Sequence, residues 1–494
     1  MSAKRVSRRE FLSLAGAMGG AALLSACAPQ ATEPTTAPPP EEKEYHILQW
    51  AQAATPTPED AQLAEGEARQ VAYQNIADEY MALHPNVTIE FYTFPGGSSS
   101  EDLVPWLEAR MAAQDAPDIW WANTDILMPH FSKGWMLDLT EYMDMANPYV
   151  DGNKSWKDQF IEVALISQLS PEGKVFGVDL DGVGIMIAYN KEAFDKAGVT
   201  TKPRTWGEFQ DAWQKLKDAG YIAYGASILG GGIGGYNIPH WFSGHAYNQL
   251  VWDKVGDWDD DGNQKITSLE IASHAQKGDF PDWDAYLKFA HLLKELEPFL
   301  PPGYAGNLDI EQLFRQGKVA MFMNGNWATG AYAADPLPFE YDWLAFPVIT
   351  KDIWPDAPEK VVRIQGAWGV LQYHVSGFLA EKEPDKVPVC MDWLMFSSAP
   401  ENVSALCSET GTLPLVHDAT TTPEMEPFLQ PYDRAAPYES WWTLSEGGSQ
   451  AEAKLFQTYL PGTMSDGEFL DLAKKLFDEE LDKVLEQNPD WKIS

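Results

Sequence analysis

From Tyr45 onward, short apolar runs alternate with amphipathic stretches. The runs at 45–49, 87–94 and 118–122 are short and rich in β-branched or aromatic residues, as strands require, and helical spacing fills 67–83 and 103–113 between them. That βαβαβ order predicts a mostly parallel sheet covered by helices. A second series follows, with strands at 175–178 and 184–189, a helix at 205–219 and a strand near 221–226. Near the end, Phe469, Leu472, Ala473, Leu476, Phe477, Leu481, Val484 and Leu485 fall at helical spacing with charges between them, the pattern of an amphipathic closing helix. No repeat of fixed period is present, which excludes a solenoid or propeller. The glycine run 230–235 lacks the lysine and helix start of a phosphate cradle, so it reads as a loop.

The first 44 residues follow another logic. A basic start (Lys4, Arg5, Arg8, Arg9) carries a twin-arginine run, Ser7-Arg8-Arg9-Glu10-Phe11-Leu12, and an apolar stretch from Leu14 leads to Leu24-Ser25-Ala26-Cys27. These residues read as an export signal, 1–27, ending at a lipid-bearing Cys27. The apolar stretch is too short to span a bilayer stably. Residues 28–44, dominated by Pro, Thr, Ala and Glu, read as a disordered tether. The expected location is therefore extracytoplasmic, with membrane contact only through the lipid. About 450 residues remain, enough for two lobes with separate cores.

Acidic residues number 73 against 35 basic, and a chain beginning at Cys27 carries a net charge near −41. Such a field repels nucleic acid and anionic headgroups, which excludes those partners. The 20 Trp matter because several lie in turn-rich segments, and indoles stack well on sugar rings. Beyond Cys27 only Cys390 and Cys407 remain, and spacing alone leaves open a disulfide or two buried thiols. No Cys/His cluster has the spacing of a structural zinc site.

Three separated segments carry a resemblance. The first runs from Gly173-Lys174-Val175-Phe176-Gly177-Val178 through Tyr189-Asn190-Lys191-Glu192-Ala193-Phe194 to Pro203-Arg204-Thr205-Trp206-Gly207-Glu208-Phe209. The second is Phe314-Arg315-Gln316-Gly317-Lys318-Val319-Ala320-Met321-Phe322-Met323-Asn324-Gly325-Asn326-Trp327. The third joins Gly366-Ala367-Trp368-Gly369-Val370, Asp392-Trp393-Leu394-Met395-Phe396 and Thr410-Gly411-Thr412-Leu413-Pro414. Their order and spacing over most of the chain resemble the sugar-binding group of extracellular solute-binding proteins of ABC importers, the group that includes maltose-binding protein. Some of these residues also read locally. Thr205 and Glu208 form a capping box, Gly198 closes the helix before it, and Gly325 permits close backbone approach ahead of Trp327.

The resemblance implies an α/β, two-lobed periplasmic-binding-protein fold with hinge-connected lobes and ligand in the cleft. By analogy the first lobe takes 45–165 plus 345–400 and the second 166–344 plus 401–494, with an insertion near 221–307. It further implies a monomer that binds carbohydrate, does no chemistry and delivers its ligand to ABC permease subunits. Trp327 is the expected stacking platform and Trp368 the second. Asp181 is expected to accept hydrogen bonds from sugar hydroxyls, and Trp120, Trp121 and Asn123 to line the first lobe's side of the cleft.

The insertion has a motif of its own. Asp259, Asp261, Asn263, Lys265 (through its carbonyl) and Glu270 occupy positions 1, 3, 5, 7 and 12 of an EF-hand-like loop, with Ile266 at position 8. A structural calcium ion is the expected occupant. Gln264 stands where that loop usually has Gly, and a register beginning at Asp257 restores Gly262 there but puts Ser268 at the position of the bidentate Glu. Two other functions compete with sugar capture: a secreted glycoside hydrolase, for which no carboxylate pair is identifiable, and a receptor for a non-sugar solute. A phosphate ester would need Arg, for which Arg363 and Arg434 are the candidates.

Overall fold

The computed structural model describes residues 43–62, 69–95, 100–123, 127, 133–170, 173–229, 241–260, 266–366, 369–436, 444 and 446–493. In chain order the strands are β1 (Tyr45–Gln49), β2 (Val87–Phe91), β3 (Ile119–Trp121), β4 (Val178–Asp179), β5 (Asp181–Asn190), β6 (Met321–Gly325), β7 (Tyr341–Leu344), β8 (Val362–Arg363), β9 (Gln365–Gly366), β10 (Gln372–Val375), β11 (Leu413–Pro414) and β12 (Arg434–Ala435).

The first lobe is built on the sheet β2-β1-β3-β10-β4. β1 runs parallel to β2 (Tyr45 opposite Val87) and to β3, as the βαβαβ pattern predicts, whereas β10 and β4 are antiparallel. Helices Ala72–Leu83, Ser100–Ala113, Val387–Ser397 and Pro400–Thr410 cover it. Tyr73, Trp393 and Leu406 share its core.

The second lobe centres on β5, whose ten residues are all buried. Alternate side chains enter two cores: Ile185, Ile187 and Tyr189 one, Met186 and Ala188 the other. β6, β7, β9 and β11 pair with β5 antiparallel. The 221–226 stretch forms only single bridges, Ile222 to Val319 and Gly225 to Phe322. Helix Trp206–Asp218 carries the predicted capping box, Thr205 with Glu208, and Gly198 ends the preceding helix at φ 70°. The closing helix spans Asp466–Gln487, and the insertion packs on it: Tyr286 stacks on Phe469 at 5.7 Å and Trp283 meets Phe477 at 6.0 Å. Insertion and C-terminal helices thus share one core.

The lobe limits need correction. Residues 166–179 belong with the first lobe, because β4 extends its sheet and Val175 and Val178 enter its core. The stretch 345–366 belongs with the second lobe, where Phe346, Ile349, Val362 and Ile364 are buried. The helix Pro400–Thr410 returns to the first, through Val403, Leu406 and Cys407. Periodicity identifies an element but not which of two cores its apolar face meets.

The chain crosses between lobes at Leu180, linking β4 to β5, and again between β9 and β10, where 369–371 lead into β10. Segment 411–416 lies beside these crossings, with Leu413 paired to Gly182 and Pro414 to Asp181. The backbones are tied laterally: Leu180 N donates to Leu371 O at 3.1 Å, and Leu415 N to Leu180 O at 2.9 Å. The chain re-enters the second lobe at Met425 and Phe428.

Candidate functional site

Three parallel strands, β1, β2 and β3, end on the same edge of the first sheet, where ligands of α/β proteins gather. The chain leaves them at Trp50, at Tyr92 to Phe94 and at Trp121 to Asn123. The Trp50 ring lies 4.5 Å from Phe94, 5.7 Å from Trp121 and 6.0 Å from Trp106. Phe94 and Tyr92 lie 4.9 and 5.8 Å from Trp106, and all three are only half-buried. An aromatic wall therefore stands at the carboxyl edge. Asn123 is half-buried at its end, with Oδ1 enclosed and without a hydrogen-bond partner among the described residues. A buried unpaired acceptor is costly unless a ligand or water meets it.

The adjacent tryptophans differ. Trp121 is 2% exposed, and its Nε1 donates to Gly369 O at 3.3 Å, bracing the second crossing. Trp120 is not a cleft residue, contrary to expectation. Its indole is fully buried, donates to Ser376 Oγ at 3.1 Å and packs on His374 at 5.1 Å. Successive strand residues point to opposite faces, and the face of Trp120 is covered.

On the second lobe β6 ends at Gly325 and turns through Asn326 into helix Ala328–Ala334, with Trp327 as N-cap. Asn326 is fully buried and fixes the turn: Oδ1 accepts from Gly184 N at 2.8 Å and Nδ2 donates to Gly411 O at 3.0 Å. Trp327 is half-buried beside Trp241, ring centres 6.2 Å apart. Its ring folds back over Gly325, where a Cβ would fall 2.0 Å from it. The close approach expected at Gly325 is therefore made by the indole itself.

Asp181 also departs from expectation. It is fully buried at the start of β5, and Oδ1 accepts from Leu371 N at 2.8 Å and Oδ2 from Val370 N at 3.1 Å. Burial pushes its carboxyl up to about 6, partly countered by these bonds and by the Thr412 hydroxyl. Its oxygens are spent on the hinge and not turned to a ligand. A Cβ on residue 369 would lie 1.9 Å from Oδ1, so glycine is required there. Trp121, Gly369, Asp181, Thr412, Gly411 and Asn326 thus form one connected set leading to Trp327.

Trp368, Asp261, Asn263, Lys265 and Cys27 lie outside the described residues. Of the other proposed calcium ligands, Asp259 closes helix Val255–Trp258 and Glu270 sits in the first turn of Ser268–Lys277. Glu270 Oε2 accepts from Thr267 N and Oγ1 at 2.7 and 2.8 Å, and Oε1 from Asp260 N at 2.8 Å. Among the described residues no group of three His, Cys, Asp or Glu side chains is set to hold a metal ion.

Neither arginine offered for a phosphate ester is available. Arg363 is buried, donating to Phe428 O and Gln430 O at 2.9 and 3.0 Å. Arg434 donates to Trp252 O at 2.9 Å and lies 3.8 Å over that residue's ring. Cys390 and Cys407 are free buried thiols, and burial raises both pKa values.

Trp50, Phe94, Trp106 and Trp241 were not singled out from the sequence. Trp50 and Phe94 share a signal, an aromatic one to three residues past a strand, that becomes readable only once strand order is known; Trp106, within helix Ser100–Ala113, and Trp241 carry no such signal.

Two α/β lobes on crossing strands, with aromatic side chains displayed on both sides of the crossing, define a hinged ligand-capturing protein. The model for the bacterial extracellular solute-binding proteins matches residues 64–373, and the chain belongs to that family. It is 24% identical over 369 residues to the maltodextrin-binding protein of Bacillus subtilis, covering 70% of this chain and 73% of that one. A binding protein of Brucella abortus is 24% identical over 284 residues, 56% of this chain and 59% of that protein, so the chain spans little more than half of that relative. The solved structure of the cyclic α-maltosyl-1,6-maltose binding protein of Arthrobacter globiformis superposes with a TM-score of 0.60 at 20% identity, covering 89% of this chain and 100% of that one.

Proposed function

We propose that this protein is a lipid-anchored extracytoplasmic receptor that captures an oligosaccharide and delivers it, as a monomer, to the permease of an ABC importer. The observation that carries this reading is a half-buried aromatic surface on each lobe: Phe94 and Trp106, backed by the buried Trp50, on the first, and Trp327, backed by the buried Trp241, on the second. Rigid aromatic rings bind sugar faces at low entropic cost. Relatives named for binding maltodextrin and cyclic maltosyl-maltose make α-glucans the first ligands to try.

Receptor is favoured over hydrolase by the use made of buried carboxylates. Asp181 holds backbone amides, Asp179 accepts from Ser167 Oγ and Gln372 Nε2, and Asp118 pairs with Lys386 at 2.8 Å. None of these is free to act as acid or base. The engagement of Arg363 by backbone carbonyls and of Arg434 by Trp252 likewise disfavours a phosphate-ester ligand. The lipid anchor rests on Cys27 and the twin-arginine run. A structural calcium ion in the 259–270 loop belongs to the same proposal, resting on ligand spacing.

The test is a thermal-shift screen against linear and cyclic α-glucans, followed by recovery of the bound sugar. At one hundred times Kd a ligand bound only by the native state stabilises it by about 2.7 kcal/mol. A Tm shift with sugar recovered intact supports the receptor; cleavage products would establish the hydrolase.

A further inference from the structure

The carboxylate of Asp181 lies where three separate segments meet. It belongs to the first crossing, it accepts from Val370 N and Leu371 N of the second, and the hydroxyl of Thr412 reaches it from the segment alongside. The enclosure is tight, since Gly369 and Gly182 have no room for a Cβ: one would lie 1.9 Å from Asp181 Oδ1 and the other 2.8 Å from Gly366 O. Among the described residues no cation is one of its partners. An ionised carboxylate here is held by neutral dipoles alone, inside the element about which the lobes bend.

We propose that Asp181 is a proton-linked latch of the hinge: protonation favours the described arrangement of the crossings, and ionisation favours any arrangement that lets water reach the carboxylate. A conformation that encloses a carboxyl group binds its proton more tightly than one that hydrates it, so lowering the pH draws the equilibrium toward the enclosed form. The elevated pKa of Asp181 agrees with this direction. Tyr373 on β10 and Cys407 on helix Pro400–Thr410 face Asp181, and burial raises both, leaving them neutral across the relevant range. His374 is pushed below the usual imidazole value by burial, and its Nδ1 and Nε2 lie 2.9 Å from Phe176 O and 3.1 Å from Ala122 O, of which the neutral ring can donate to one. Asp179 is held by Ser167 and Gln372, Glu409 by the amides of Val71 and Ala72, and Arg363 by backbone carbonyls. The proposal rests on the two-lobed fold and not on the identity of the ligand.

The test is amide hydrogen exchange, read by mass spectrometry on peptides covering 369–375 of the purified protein without ligand, between pH 5 and 7.5 and corrected for the intrinsic rate. Protection should rise about tenfold from pH 7.5 to pH 5. Asp181→Asn, neutral and of the same shape, should hold it constant. A flat wild-type profile, or an Asn variant that keeps the tenfold rise, overturns the proposal. Should that variant not fold, Thr412→Val replaces it: losing the hydroxyl that favours the ionised carboxylate must move the rise to higher pH, and an unmoved midpoint overturns the proposal. No sugar enters the measurement, so this proposal and the sugar-receptor reading fail separately.

Discussion

The indole of Trp327 occupies the space that a side chain on residue 325 would need, with 2.0 Å between the ring and a Cβ built on Gly325. Glycine is thus required at the end of β6 by a neighbour two residues on. Gly325→Ala should turn the indole away and strain the turn fixed by Asn326, at a cost of about 1–3 kcal/mol. A lower Tm and weakened α-glucan binding in calorimetry check this together, because Gly325 itself has no side chain to offer a ligand.

Trp327→Ala and Trp106→Ala should each weaken α-glucan binding by about tenfold or more with little loss of Tm, since both rings are half-buried. Trp120→Phe should do the reverse. Losing the bond to Ser376 Oγ costs about 1 kcal/mol of stability, and affinity stays the same. Isothermal titration beside thermal unfolding separates the two classes; equal affinity losses at all three positions would contradict the assignment.

Asp181 contributes to global stability with a definite sign. Its folded pKa, about 6, lies above the ordinary 3.8, so the folded state binds the proton more tightly. Its contribution is fully present below the unfolded value and is lost as pH rises through the folded one. In urea titrations from pH 3.5 to 7.5 the wild type should therefore lose about 2–3 kcal/mol relative to Asp181→Asn. A constant difference between the two proteins would show that the carboxyl is not enclosed.

Calcium should raise the Tm and chelation lower it, and Asp259→Ala should abolish that response. Glu270→Ala should additionally cost about 1 kcal/mol of stability without calcium, because Glu270 also completes the cap of helix Ser268–Lys277. Identical melting of the metal-free and calcium-loaded protein would remove the ion from the account.

Local features were legible in the sequence. The Thr205 and Glu208 capping box, the Gly198 helix end and the closing helix depend on residues within a turn or two of each other, where propensity and periodicity act directly. The site was only partly legible. Trp327 ends half-buried at the turn after β6, while Trp120 and Asp181 are fully buried with partners of their own, and the wall of Trp50, Phe94 and Trp106 went unread. Each failure concerns partners far apart in the chain: Ser376 for Trp120, Val370 and Leu371 for Asp181, two strand ends and a helix for the wall.

The sequence by itself determined the alternation of strands and helices, the acidic character and the family, because these reside in composition, short-range pattern and ordered motifs. Only the tertiary structure decided which lobe each segment joins, which face of β3 is covered, and that a conspicuous aspartate serves the hinge. The physical reason is that a side chain's role is set by what removes it from water, and here the crossing strands bring those groups together from nearly two hundred residues apart.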